Sequence, residues 1–353
     1  MFFYLFFVFS VSLLMWLGYL YPDKNKLLQW FVFVIVVAVA GLREYVGYDY
    51  ASYVDWYING KRDDNIEFGY LQIMNMFRYL NLSYHFLFFF FSFTSCLFLF
   101  LGIKKYTENQ NFAFLIFLLL PELFLTSFSS IRQSFSVSVC FYAFYYLMNR
   151  KHTIYLLLML LAVSVHYSAF MPFLVFLFVF KYADKFNERN ILVLLVVSFL
   201  ISKINSIQVF YFLFEKTRYA YYFSQESPPV NAYKIIILNL VALLVLFYFK
   251  KLKEKYPYHE YLLPLYFFSV VFINLFSLFA DMARLVLYFR VFEIIIISDL
   301  IFLSVKQRRL WLITGFYVYY FAAFAYTLRG DLEKGTVNNF IPYKTFILEE
   351  YQY

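Results

Sequence analysis

The sequence predicts an all-α fold, a polytopic transmembrane helical bundle, and three observations carry that reading. Hydrophobic residues make up 63% of the 353 and charged residues only 15%, a balance too apolar for one water-soluble domain of this length. Apolar runs of the roughly 17–25 residues that a spanning helix needs recur from Phe2 to Leu20 and onward almost to Leu328. Short basic clusters punctuate them.

Phe2 to Leu20 has no basic n-region and is followed by further apolar runs, so it is expected to be the first transmembrane helix rather than a cleaved signal. The basic clusters stand at Lys24/Lys26, Lys104/Lys105, Arg150/Lys151, Lys181/Lys185/Arg189, Lys250/Lys251/Lys253/Lys255 and Lys306/Arg308/Arg309. All lie in short loops, where the positive-inside rule is strongest, which makes those loops cytoplasmic. The segments between them must leave the membrane and return. That puts 43–83, 126–133, 206–232 and 281–284 outside, together with both termini and the polar tail after Arg329. The chain then reads as a single integral membrane domain, 1–353, with 43–83 and 206–232 as extracytoplasmic loops carrying short surface helices.

One stretch tests the parity. Thr153 to Phe180 is flanked by cytoplasmic clusters at both ends, and as one helix of about 28 residues it would run roughly 42 Å. A single crossing violates the charge rule. Two short helices turning at His166, Tyr167 and Ser168 satisfy it, and each covers only about 20 Å. A non-helical turn recessed from the surface is tolerated where it is buried in protein or lines a water-filled cavity. On this count the chain has about 11–12 membrane segments. In the first outer loop, Phe68, Leu71, Met74 and Met76/Phe77 recur at helical spacing, which predicts an amphipathic helix over 67–80. Its apolar face suits a cap over the bundle as well as a doorway for a lipid.

The candidate chemistry collects in the outer segments. Arg43, Asp49, Tyr50 and Tyr53 stand at the mouth of the second helix, with Gly47 offering a turn. A guanidinium there can grip a phosphate and Asp49 can orient it or a sugar hydroxyl; an interfacial Arg in an aromatic belt is the structural alternative. Arg132 and Gln133 lie in the first turn of a helix entered from outside, behind Ser129 and Ser130. A cation is disfavoured at a helix N-terminus, so Arg132 calls for an anion: either a phosphate, helped by free amides, or an internal partner such as Glu122 or Asp49. His166, in the recessed turn, has the chemistry of a general base or of a hydrogen-bonded structural residue. Arg290 and Glu293 are spaced to pair on one helix face, whereas Arg284 lies nearer the outer surface. His85, His152 and His259 receive no role.

Other classes find little support. The net charge of +8 is spread over short loops, as orientation and anionic lipid require, so no nucleic acid is implied. Cys96 and Cys140 sit in apolar runs and read as packing residues. There is no Walker motif, zinc spacing, nucleophile elbow or carboxylate cluster for a divalent metal, so neither metal nor cofactor is expected. Nine glycines in the chain leave few of the interrupted helices that mark transporter ion sites.

Four motifs in order, Arg43...Gly47-Tyr-Asp49-Tyr50...Tyr53, Glu67-Phe-Gly69-Tyr, Ile131-Arg132-Gln133 and Leu161-Ala-Val-Ser-Val-His166-Tyr-Ser-Ala169, resemble the EpsG family of Wzy-like polysaccharide polymerases. The likeness is best from Leu42 to Pro172 and thins to Arg284 with Tyr288 and to Ile341-Pro-Tyr343; Tyr48 stands where the family often has Thr or Asn. The resemblance implies joining of oligosaccharide repeat units carried on undecaprenyl diphosphate, at the outer face of a bacterial cytoplasmic membrane, and is compatible with a GT-C-like architecture. It also implies that Arg43, Asp49, Arg132, Gln133 and His166, with Arg284 less closely matched, are the recurring polar residues. Tyr50, Tyr53, Tyr288 and Tyr343 join the binding set. The partners are then polyprenyl-diphosphate-linked glycans as donor and acceptor, membrane lipids, a chain-length regulator and a flippase.

The expected mechanism is metal-independent glycosyl transfer, most simply one inverting displacement. Arg132 with Arg43 or Arg284 stabilises the leaving diphosphate, and His166 or Asp49 takes the acceptor's proton. A transporter or flippase of lipid-linked glycans would use the same arginines as escorts but needs charged residues toward both faces. A membrane O-acyltransferase acting on glycans would need an acyl-donor site, and none is visible.

Overall fold

A computed structural model describes residues 1–60, 66–202, 230–277, 282–306, 310–334 and 339–347. Among the described residues every regular element is a helix, with one isolated β-bridge between Arg43 and Thr345. The fold is an all-α, multi-pass membrane bundle. The expected 206–232 loop, Asp281, Arg308 and Arg309 lie largely or wholly outside the described residues.

The chain divides into two compact units, Met1–Met171 with Ile301–Tyr353, and Pro172–Leu300. In the first, α1 (Phe2–Leu20) turns at Tyr21 into α2 (Pro22–Gly41), with Pro22 at the first helical position, where its missing N–H leaves no bond unmade. Two short helices follow, α3 (Tyr50–Asn59) and α4 (Phe68–Tyr79). The long α5 (Tyr84–Tyr106) leads to α6 (Gln110–Leu119), the single turn α7 (Thr126–Ser129), α8 (Ile131–Met148) and α9 (His152–Val165). Helix α5 packs against α2 and α8, α8 against α9, and α1 against α2 and α6. On α1, Phe2, Phe6, Phe9, Leu13, Trp16 and Leu20 are exposed, a stripe at helical spacing that is stable only with lipid as its solvent.

The helix breaks where the charge count requires. After Val165 the backbone of His166 is extended (φ −151°, ψ 111°), a 3₁₀ turn follows at Tyr167–Ala169, and α10 (Phe170–Tyr182) resumes. The predicted amphipathic helix is α4, which buries Tyr70, Met74 and Phe77 and leaves Phe68, Met76 and Tyr79 exposed. Its buried stripe is thus set one position from Phe68 and Leu71.

The second unit carries α11 (Glu188–Ile201), α12 (Ala232–Phe247), α13 (Phe249–Lys255), α14 (His259–Leu275) and α15 (Leu287–Arg290). Helix α16 (Glu293–Lys306) begins in this unit, and α17 (Leu310–Lys334) belongs to the first. Asn274 Nδ2 donates to Ser198 Oγ (3.0 Å), and Asn239 Nδ2 donates to Asn274 Oδ1 (2.8 Å). These bonds tie α11, α12 and α14 by polar contacts of the kind that glue helices in lipid.

Among the described residues, four helical segments are long and apolar enough to cross a membrane: Phe2–Leu20, Pro22–Gly41, Tyr84–Tyr106 and Tyr167–Lys185. The pair Ala232–Phe247 and Phe249–Lys255, bent by 58°, makes a fifth if it is one span. Gln110–Leu119, His152–Val165 and His259–Leu275 are apolar but shorter. Several segments counted as crossings from the charges are therefore shorter than the roughly 17–25 residues of a full span.

The tail returns to the beginning of the chain. Tyr4 Oη donates to the Phe340 carbonyl (2.9 Å), Tyr343 Oη donates to the Val39 carbonyl (3.0 Å), and Glu44 N–H donates to the Lys344 carbonyl (3.0 Å). The Tyr343 ring stacks on Phe3 at 4.1 Å and 10°. The start of α1, the end of α2 and the tail share one end of the bundle, which is also the end that carries the candidate site.

Candidate active site

The loop after α2 is fixed before any chemistry is considered. Gly47 has φ +115°, and a Cβ there would stand 2.3 Å from the Phe128 carbonyl oxygen, so only glycine allows the loop to press onto α7. Tyr48 N–H then donates to Ser129 Oγ (3.0 Å).

Arg43 is the bolt of this region. It is 1% exposed, and its guanidinium donates to the carbonyls of Ala40, Val46 (3.1 Å) and Phe128 (3.0 Å) and to Ser92 Oγ (3.1 Å). It also faces the rings of Tyr50, Phe88 and Phe128. A fork with its donors spent on carbonyls joins α2, α5 and α7 and has little left for a phosphate. Arg43 thus frames this end of the first unit through three backbone carbonyls and one hydroxyl, contacts that no sequence pattern displays. Tyr50 is likewise committed: fully buried, it stacks on Phe88 at 4.0 Å and donates to Glu44 Oε2 (3.1 Å). Glu44 also accepts from Tyr84 Oη (2.8 Å) and meets His85 Nε2 at 2.7 Å. His85, given no role from sequence, is thus part of a polar knot that holds the loop after α2.

The group with chemical capacity lies on α4, α8 and the His166 break. Glu67, the residue before α4, is 4% exposed and sends its two carboxylate oxygens to different partners. Oε2 accepts from Arg132 Nη1, and Oε1 meets His166 Nδ1 at 2.7 Å. The anion that Arg132 calls for is Glu67, not Glu122 or Asp49. The guanidinium also lies over Tyr53, Trp56 and Tyr70, with centroid distances of 5.7, 5.0 and 5.4 Å. Tyr53 hydrogen-bonds it as well, and Asp49 is near enough to act electrostatically on Tyr53.

Burial works against a charged Glu67, yet the hydrogen bond from His166 and the charge of Arg132 outweigh it. The carboxyl therefore sits below its usual range. Arg132 Nε and the Tyr70 hydroxyl are buried with no hydrogen-bond partner among the described residues, so polar capacity remains beside the ion pair. The His166 side chain is 25% exposed. With Nδ1 turned to the carboxylate, Nε2 is the nitrogen open to a substrate.

The remaining expected residues are dispersed. Gln133 is buried next to Arg132 in the chain, and Tyr343 is half-buried as a clasp on α2. In the second unit, Arg284 is exposed in a 3₁₀ turn while Tyr288 is fully buried, which removes its ring from any glycan in this conformation. Arg290 and Glu293 pair as their spacing predicts, at 3.2 Å. His259, given no role from sequence, opens α14 fully buried, with Nε2 3.4 Å from Asp299 Oδ2. Cys140 is buried, Cys96 is partly buried, and both are free thiols. Sequence reasoning named Arg132 and His166 but not the carboxylate between them; the signal was there, an acidic residue within the Glu67-Phe-Gly69-Tyr motif.

These features define a multi-pass membrane protein with an aromatic-walled arginine and a histidine joined through one carboxylate. The profile of the EpsG family matches residues 26–345, nearly the whole chain, and the protein belongs to the EpsG family. Membership implies a Wzy-like polysaccharide polymerase in general terms. No curated protein and no solved structure matches the chain.

Proposed function

We propose that the protein is a glycosyltransferase that polymerises oligosaccharide repeat units carried on undecaprenyl diphosphate, at the extracytoplasmic face of a bacterial cytoplasmic membrane. The observation that carries the reading is that Arg132 and His166 are bonded to the same carboxylate, which sets a cation and a base within one residue's reach. A hydroxyl of the acceptor unit attacks the donor's anomeric carbon. A new C–O bond forms, the bond to the diphosphate oxygen breaks, and the polyprenyl diphosphate leaves with the electron pair. His166 Nε2 takes the hydroxyl proton. Arg132, with its unspent Nε–H and the neighbouring Tyr70 hydroxyl, stabilises the charge that grows on the leaving group. Trp56, Tyr53 and Tyr70 wall the guanidinium, and low local polarity strengthens its hold on an anion.

The test is reconstitution in proteoliposomes with a lipid-diphosphate-linked repeat unit, followed by gel analysis of chain length. The wild-type protein should build a ladder. Arg132→Ala and His166→Ala, still folded, should each lose about 10²-fold or more in rate, as losing charge stabilisation or a general base does. Transbilayer movement of the lipid with no longer products would overturn the reading.

A further inference from the structure

We infer that Glu67 is the positioning residue of the site, a double acceptor that holds Arg132 and His166 together and fixes His166 with its open nitrogen, Nε2, as the proton acceptor. The inference rests on the reading of His166 as a general base and adds to it the residue that selects the tautomer. Its geometry is specific. Oε1 lies 2.7 Å from His166 Nδ1, and Oε2 takes the Arg132 Nη1–H.

Only a carboxylate can accept from both sides, because arginine offers donors alone and imidazole must then present its Nδ1–H. The proton sits on Nδ1, and the Nε2 lone pair is left facing outward. Arg132 on α8, Tyr53 on α3 and Tyr70 on α4 are the other titratable or charged groups that act on Glu67, alongside His166 itself. A counter-ion whose sole task was to neutralise Arg132 would have no need of the second bond. The approach of α4 to α9 that brings Glu67 to His166 is built in at Gly69, which packs on Ser164.

Glu67→Gln separates the roles. An amide has one acceptor oxygen, which Arg132 takes, so the NH₂ group faces His166 Nδ1 and drives the imidazole proton to Nε2. The base is then present but blocked. In reconstituted protein, kcat for chain elongation should fall by about 10²-fold or more while KM for the lipid-linked unit changes little.

A second readout needs no turnover. Carbethoxylation of His166 by diethyl pyrocarbonate, mapped by mass spectrometry on the purified protein, should slow several-fold in Glu67→Gln, since the accessible nitrogen no longer carries a lone pair. If Glu67→Gln does not fold, Glu67→Asp replaces it in the elongation assay. Its carboxylate stops one methylene short of spanning both partners, and the same loss of kcat is expected.

A folded Glu67→Gln protein with wild-type kcat, or with unchanged carbethoxylation, overturns the inference. A folded Glu67→Asp protein of undiminished kcat overturns it as well. Wild-type protein that builds no chains sinks the polymerase reading instead, and carbethoxylation alone then decides the role of Glu67.

Discussion

Gly69 on α4 lies so close to Ser164 on α9 that a Cβ at position 69 would stand 2.4 Å from Ser164 Oγ and 2.8 Å from its carbonyl carbon and oxygen. Two residues earlier, Glu67 meets His166; two residues after Ser164 the helix gives way to that histidine. Gly69→Ala must therefore push α4 off α9 and lengthen the Glu67 to His166 bond. Displacement of a catalytic group by about 1 Å can cost on the order of 10²-fold in rate, so elongation should fall by that order. Binding of the lipid-linked unit should change far less. Elongation kinetics and thermal unfolding of the same preparation check this, and an alanine variant of unchanged rate would show that the close contact does not set the site.

Arg43 should behave as a framework residue. Replacing it by Ala leaves the carbonyls of Ala40, Val46 and Phe128 and the Ser92 hydroxyl without their donor, at roughly 2–4 kcal/mol of stability. Lysine should rescue little of that, since one ammonium cannot reproduce a planar fork. Arg132→Ala presents the opposite profile, a lost rate with a mostly retained fold. Unfolding in detergent and elongation per folded molecule separate the two; Arg43→Ala that unfolds like wild type yet fails to elongate would return Arg43 to the substrate.

The bundle and the break at His166 were legible because both are written locally. Hydropathy marks each helix, and two flanking basic clusters demand an interruption between Thr153 and Phe180. Arg132 stood out because a cation at a helix start near hydrocarbon is costly. Its partner was hidden, since Glu67 lies 65 residues away in sequence and only the packing of α4 on α9 brings it in. The contacts of Arg43 are hidden for a related reason. An arginine at a helix mouth looks alike whether it faces phosphate or carbonyls, and carbonyls leave no trace in a sequence. His259 follows a basic cluster in sequence, yet the chain turns it inward against Asp299, a contact with no local signature.

Acid should loosen the 43–83 loop before it unfolds the spanning helices. The Glu44 and Glu67 carboxyls both sit below the ordinary 4.5. Burial opposes this in each, but the hydrogen bonds from His85 and Tyr84 to Glu44, and the His166 and Arg132 partners of Glu67, prevail. A depressed carboxyl contributes stability that is complete above its unfolded value and is lost as pH falls through the lower folded one. Protection of the 43–83 loop, followed by hydrogen exchange, should thus hold down to about pH 4.5 and decline below it. Glu44→Gln should show part of the decline already at neutral pH. Loop protection that does not change between pH 6 and pH 3 would show that these carboxyls do not hold it.

The tail offers the last test, because one buried carboxylate fastens it. Asp331, 2% exposed, accepts from Tyr48 Oη at 2.7 Å through Oδ1 and from the Ile341 N–H at 3.0 Å through Oδ2. Asp331→Ala removes both bonds and leaves a partly buried backbone N–H without its acceptor, a loss of roughly 1–3 kcal/mol. The tail should then become open to limited proteolysis. Asparagine can keep most of the arrangement, its oxygen accepting from Ile341 and its amide donating to the Tyr48 hydroxyl, which can reverse its role. Asp331→Asn should therefore resist protease nearly as well as wild type. If it is cut as fast as the alanine variant, then the negative charge of Asp331, rather than its two hydrogen bonds, holds the tail on the 43–83 loop.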